Sequence, residues 1–161
     1  AIKNNININD DDIIIEPSAG NGAFIDVIKE ISKKNIFLDI EPEHVEVIKK
    51  DFLTFTPPMH SIIHTIGNPP FGRQSSTAIK FIKHACTFSN TIGFILPKSF
   101  KKDSLKKHFD TYFHLIYEID IPENSFIVDN KSYNVPCIFQ IWIKKNTERE
   151  QVKKLETEGY E

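Results

Sequence analysis

The run Asp12-Ile13-Ile14-Ile15-Glu16, followed at once by Pro17-Ser18-Ala19-Gly20-Asn21-Gly22, constrains the fold of this chain more than any other segment. Consecutive β-branched apolar residues are what a strand buried on both faces requires. The small-residue loop then gives way to apolar residues at Phe24, Ile25, Ile28 and Ile31, which is helical spacing. Strand, loop and helix in that order predict a parallel sheet with crossover helices. Gly20 and Gly22 let the backbone approach a ligand closely, and such a loop sits at the carboxyl edge of the strands, where open α/β sheets bind nucleotides. The loop has neither the G-x-G-x-x-G pattern nor the Lys-Ser/Thr ending of a P-loop, so it is not built to cradle a polyphosphate. A zwitterionic ligand without charged phosphates fits it better.

A second strand is expected over Ile36 to Ile40, and Asp39 falls near its end, about twenty residues beyond the glycine loop, where a carboxylate meets ribose hydroxyls. A short strand is expected at Val45 to Ile48. Asp51-Phe52 then pairs an acid with an aromatic, a combination able to accept from an adenine amine and cover its ring, which by itself identifies nothing. The apolar run Ile62 to Gly67 delivers Asn68-Pro69-Pro70-Phe71. Proline biases the preceding residue away from helical geometry, and consecutive prolines supply carbonyl acceptors without competing N–H groups. The Asn68 side-chain oxygen and a proline carbonyl suit the two N–H bonds of an amine conjugated to a flat base, and they stabilise the positive charge that develops as it attacks. Phe71 is expected to stack on that base. Asn and Pro are also ordinary turn residues, so the tetrapeptide draws its meaning from the signals upstream.

Taken together these segments resemble the class I S-adenosylmethionine-dependent methyltransferases, in the amino-methyltransferase group that carries Asn/Asp-Pro-Pro-Tyr/Phe. The resemblance runs from about Asp12 to Lys145. It implies that Glu16, Pro17, Ser18, Ala19, Gly20, Asn21, Gly22 and Phe24 form the loop around the methionine end of S-adenosyl-L-methionine. Asp39 would bind the ribose, Ile40 would pack on the adenine, and Asp51 and Phe52 would read and cover it. Asn68, Pro69, Pro70 and Phe71 would be catalytic, with Asn68 also touching the cofactor. The chain departs from the pattern in two places. Between Asp39 and Asp51 there is no room for the usual long helix, so a turn around Glu41 to His44 is expected. The helix usual before the first strand is also missing, and the polar residues 1–11 read as the extension of an excised domain.

Downstream, helical spacing is expected from Ser75 to Ser89 and over Lys98 to Asp110, with a strand from Thr91 to Leu96 closed by Pro97. Phe113 to Ile121 and Tyr133 to Lys144 read as long strands around a loop with Pro122, Asn124, Asp129 and Asn130. The expected fold class is therefore α/β, Rossmann-like: a seven-stranded, mostly parallel sheet with an antiparallel C-terminal hairpin and helices on both faces. The methyltransferase domain is expected over 12–146 and a polar tail over 147–161.

The 161 residues, 40% hydrophobic, suffice for one core. No apolar run approaches the roughly 18 residues of a membrane span, and no signal peptide is visible, so a soluble intracellular protein is expected. Cys86 and Cys137 lack C-x-x-C spacing and are expected as packed thiols, with no metal site. His60 and His64 would lie about 13 Å apart along a strand, at roughly 3.3 Å per residue, and read as surface or packing residues. The net charge of −2 argues against tight autonomous binding of a polyanion. Lys98, Lys101, Lys102, Lys106 and Lys107 nevertheless cluster with Arg73 near the expected rim of the site, and Arg73, Lys98 and Lys101 are candidate phosphate contacts. The leading expectation is methylation of adenine N6 in DNA or RNA, on an extruded base. Guanine N2 in RNA and a protein glutamine amide are the alternatives within enzymes, and an inactive cofactor-binding scaffold is the alternative outside them. Target choice is expected to lie in a further recognition domain or subunit.

Overall fold

A computed structural model describes residues 5–122, 127–128, 131–132 and 136–150. A seven-stranded sheet runs in the order β3-β2-β1-β4-β5-β9-β6. Its strands are β1 (Ile13–Glu16), β2 (Lys34–Asp39), β3 (Ile48–Lys49), β4 (Ile63–Gly67), β5 (Thr91–Pro97), β6 (Phe113–Ile121) and β9 (Cys137–Lys144). The pairs β1/β2, β1/β4, β2/β3 and β4/β5 are parallel, whereas β9 is antiparallel to both β5 and β6. The fold expected from sequence is thus the fold observed. β1 is central, with strands on either side and all four of its residues buried, which is why an unbroken apolar run occupies it.

Two cores form because alternate residues of each strand point to opposite faces. On one face Ile14, Phe37 and Ile66 pack with Ile25 and Ile28 of helix α1 (Ile25–Ile31). On the other, Ile13, Ile15, Ile92, Phe94 and Trp142 pack with Ala78, Phe81, Ile82 and Ala85 of helix α2 (Ser76–Cys86). Among the described residues, no helix is long and apolar enough to cross a membrane.

Several boundaries differ from expectation, each for a local reason. The strand expected at Val45 begins instead at Ile48, because Val47 N–H donates to the His44 carbonyl and Glu46 N–H to the His44 ring, closing a turn. The helix expected over Lys98 to Asp110 is broken. A 3-10 turn spans Lys98–Lys101, Lys102 is extended, and only Asp103–Lys106 is α-helical, as α3. Lys98 N–H is tied to the Pro136 carbonyl, and the fully buried Phe100 offers its carbonyl to Gln140 Nε2, so sheet contacts set the path of this segment. Within the segment expected as a loop, β7 (Ile127–Val128) and β8 (Lys131–Ser132) pair as a small antiparallel ladder. Asn124, Asp129, Asn130 and the expected strand start at Tyr133 lie outside the described residues.

His60 and His64 do not share a strand. His60 is exposed with φ +65°, while His64 lies on β4, 3% exposed, with Nε2 2.8 Å from Asp12 Oδ2. The first residues of the expected C-terminal tail are held to the body. His114 Nε2 lies 2.7 Å from the Thr147 carbonyl, and the Arg149 guanidinium donates to the carbonyls of Lys106, Phe109, Asp110 and Phe113.

Candidate active site

The carboxyl ends of β1, β2 and β4 open into a cavity of about 620 Å³, within the range of small-molecule sites. Its floor comes from the turn after β1. Ala19 N–H donates to the Leu38 carbonyl at 2.7 Å, and Gly20 N–H donates to Asp39 Oδ2 at 2.9 Å, so the loop is pinned to β2. Gly22 has φ +81°, and a Cβ there would fall 2.8 Å from the His44 ring, so both conformation and space require glycine. Asp39 is a hub as well as a wall, because its other oxygen accepts from Glu41 N–H at 2.8 Å and so folds the abbreviated crossover back over the cavity.

Glu16, the last residue of β1, is 1% exposed, lines the cavity, and has Oε1 without a partner among the described residues. Burial pushes its carboxyl up to about 8, with the negative charge of Asp39 adding to the rise. Asp51 caps the 3-10 turn Phe52–Thr54 by accepting from Leu53 N–H, and the buried Phe52 packs against Phe81, His84 and Phe88.

The Asn-Pro-Pro-Phe corner leaves β4 beside the glycine loop. Ser18 Oγ donates to the Asn68 carbonyl at 2.7 Å, a direct tie between the two. Asn68 lines the cavity, and its Oδ1 is buried without a partner among the described residues. Past the corner, Gly72 (φ +75°), Gln74 (φ +53°) and Ser75 (φ +63°) all take left-handed backbone, a costly turn at the mouth of the site. The turn brings the Phe71 carbonyl over the start of α2, where it accepts from Thr77 and Ala78 N–H.

Of the residues expected around the cofactor, Glu16, Pro17, Ser18, Ala19, Gly20, Asn21, Phe24, Asp39, Ile40, Asp51, Phe52 and Asn68 line this one cavity, and Gly22 is not part of the lining. Of the expected catalytic corner, Asn68 and Pro70 reach the cavity, whereas Pro69 is buried and Phe71 packs against the core below α2. Phe71 is half-buried, with its carbonyl capping α2 and its side chain against the core. Arg73, Lys98 and Lys101 lie outside the lining. Lys98 and Lys101 both pair with Asp120, at 3.7 and 2.6 Å. Sequence reasoning missed Ala23, Glu41, Glu43, Lys50, Leu53, Thr77 and Phe81 as wall residues. The short crossover signalled the Glu41 to Lys50 group, since a chain that cannot form a helix must pass close to the loop. Nothing local marked Thr77 or Phe81. Among the described residues no group of three His, Cys, Asp or Glu side chains is placed to hold a metal ion.

No protein-family model matches the chain, and no curated protein matches it by sequence. Solved structures do match by shape. The 23S rRNA methyltransferase ErmE superposes with a TM-score of 0.65 at 15% identity, over 97% of this chain and 70% of that one. A dimethyladenosine transferase from Plasmodium falciparum gives 0.61 at 18% identity, over 89% and 60%. The N-methyltransferase NodS from Bradyrhizobium japonicum, in complex with S-adenosyl-L-homocysteine, gives 0.60 at 9% identity, over 83% and 78%. The fold is that of the class I methyltransferases. Within this methyltransferase fold the cavity occupies the place that strand order dictates, because crossovers leave β1 and β4 in opposite directions and part the loops at their carboxyl ends.

Proposed function

We propose that this chain is an S-adenosylmethionine-dependent N-methyltransferase acting on an exocyclic base amine, with adenine N6 of RNA as the substrate class. The observation that carries the reading is Asn68 Oδ1, a buried acceptor without a partner in the wall of a cavity shared with the glycine loop. Leaving such an atom unpaired costs about 1–3 kcal/mol, so its position calls for a donor from a ligand. The residues present fit the cofactor. The loop from Pro17 to Asn21 offers close-approaching backbone, Asp39 and Glu41 offer carboxylates for hydroxyls, and Ile40, Asp51 and Phe52 offer an apolar wall with one acceptor. When bound there, S-adenosylmethionine supplies an electrophilic methyl group.

The residues of the chain do the rest. Asn68 Oδ1 accepts one N–H of the incoming amine, and the carbonyl of a corner proline accepts the other. Both acceptors gain strength as positive charge grows on nitrogen, which is the differential binding that lowers a barrier. Ser18 holds the corner at a fixed height above the glycine loop, so that the amine and the cofactor meet at one distance. RNA as the polymer is supported by the kind of neighbours found, an rRNA methyltransferase and a dimethyladenosine transferase.

The test compares wild type and Asn68→Ala for S-adenosylhomocysteine affinity and for methyl transfer to RNA, with products identified by mass spectrometry. Affinity within a few-fold of wild type, with transfer lower by about 100-fold or more, is expected of a lost transition-state acceptor. Equal turnover by both proteins ends the reading. A product other than N6-methyladenine moves the substrate class and leaves the mechanism standing.

A further inference from the structure

We infer that Glu16 is the charge-matching residue of the cavity, a neutral acid in the ligand-free protein that gives up its proton when the positive centre of a ligand seats against it. This rests on the cofactor reading above and extends it to how the ligand's charge is recognised. Three observations carry it. Glu16 is 1% exposed, it lines the cavity, and Oε1 is buried without a hydrogen-bond partner among the described residues. The walls are unbalanced in charge. Asp39 on β2, Glu41 and Glu43 after it, and Asp51 after β3 are opposed among the lining residues by Lys50 alone. The β1 turn, the Asn68 corner and α2 add no charged group to that lining. A cavity of this kind holds one more carboxylate only as the acid until a cation enters, and the elevated proton affinity of Glu16 agrees with that.

On binding, the O–H bond of the Glu16 carboxyl breaks, its electron pair stays on the carboxylate, and the proton passes to solvent as the ligand's positive charge takes its place. A cationic ligand is thereby favoured over a neutral one of the same shape.

The test is calorimetric titration of the full chain with S-adenosylmethionine near pH 7, in phosphate and in Tris, whose ionisation enthalpies differ. Release of about 0.9 proton per ligand is expected, falling toward zero above about pH 9.5, with affinity rising close to tenfold per pH unit between about pH 6 and 7.5. Glu16→Gln is expected to bind without that release and with a flat pH profile; a proton lost from the ligand itself would persist in this variant. Binding by the wild type without proton release, or equal release by Glu16→Gln, overturns the inference and leaves the cofactor reading intact. Absence of any binding heat at every pH overturns the cofactor reading, and the inference with it.

Discussion

A carboxyl group with 1% exposure and an oxygen without a partner makes the folded chain itself sensitive to pH. The folded value of Glu16, raised to about 8, lies above its ordinary value, so the native state holds a proton that the unfolded chain releases near pH 4.5. The stabilisation this gives is fully present below about pH 4.5 and is lost as pH rises through about 8, a cost of the order of a few kcal/mol. Glu16→Gln keeps the neutral form at all pH values. It is therefore expected to melt higher than wild type at pH 8.5 and to lose most of that advantage at pH 5, as followed by circular dichroism. Gly72 presents a steric limit. A Cβ there would lie 2.3 Å from Thr77 Oγ1 and 2.9 Å from the Thr77 backbone nitrogen, at a φ of +75°. Gly72→Ala is expected to lose more than about 2 kcal/mol in urea denaturation and to displace the Asn68 corner. For Asp39→Ala, cofactor affinity is expected to fall before turnover does, because both carboxylate oxygens hold amides that shape the cavity.

Among the elements, the broken helix between β5 and β6 shows how tertiary contacts replace helical ones. Phe109 stacks on Trp142 with ring centroids 4.0 Å apart and planes 10° from parallel, and Arg149 lies over the same indole at 5.2 Å. The Arg149 guanidinium meanwhile donates to the carbonyls of Lys106, Phe109, Asp110 and Phe113, tying the segment between α3 and β6 to the chain beyond β9. Arg149→Ala removes one donor from each of those carbonyls, of which Lys106 and Asp110 keep a backbone N–H, and uncovers Trp142. A loss of about 1.5–3 kcal/mol is expected, with indole fluorescence shifted to longer wavelength. Arg149→Lys should recover only part of it, because a point ammonium cannot span the acceptors that a planar fork reaches.

For the whole molecule, charge bears on how the proposed RNA substrate would be met. The lysines near β6 are largely committed. Lys98 and Lys101 pair with Asp120, and Lys106 lies 3.9 Å from Glu118. Asp120→Asn frees two of them and is expected to tighten RNA binding at low salt and to steepen its salt dependence by about one logarithmic unit. An unchanged slope would place the RNA path elsewhere. Much of the architecture could be read along the chain, because Ile13 to Ile15, the glycine turn, Asp39 and the Asn68 corner are local patterns whose order fixes a parallel sheet and its ligand edge. That many of the named residues share one cavity follows from the same order, since strand ends and the turns after them converge wherever such a sheet changes winding direction. The setting of Phe71 was not legible, for the opposite reason. Its tetrapeptide says nothing of the left-handed turn at Gly72, Gln74 and Ser75 that makes its carbonyl a helix cap. The sequence by itself determined the strand order's logic, the loop and the identity of the polar groups. Only the tertiary structure decided that Lys98 and Lys101 are paired, that Arg149 holds the chain beyond β9, and that Glu16 stands buried without a partner. Those outcomes depend on desolvation and on which distant groups come within a few ångströms, and neither quantity is written in local spacing.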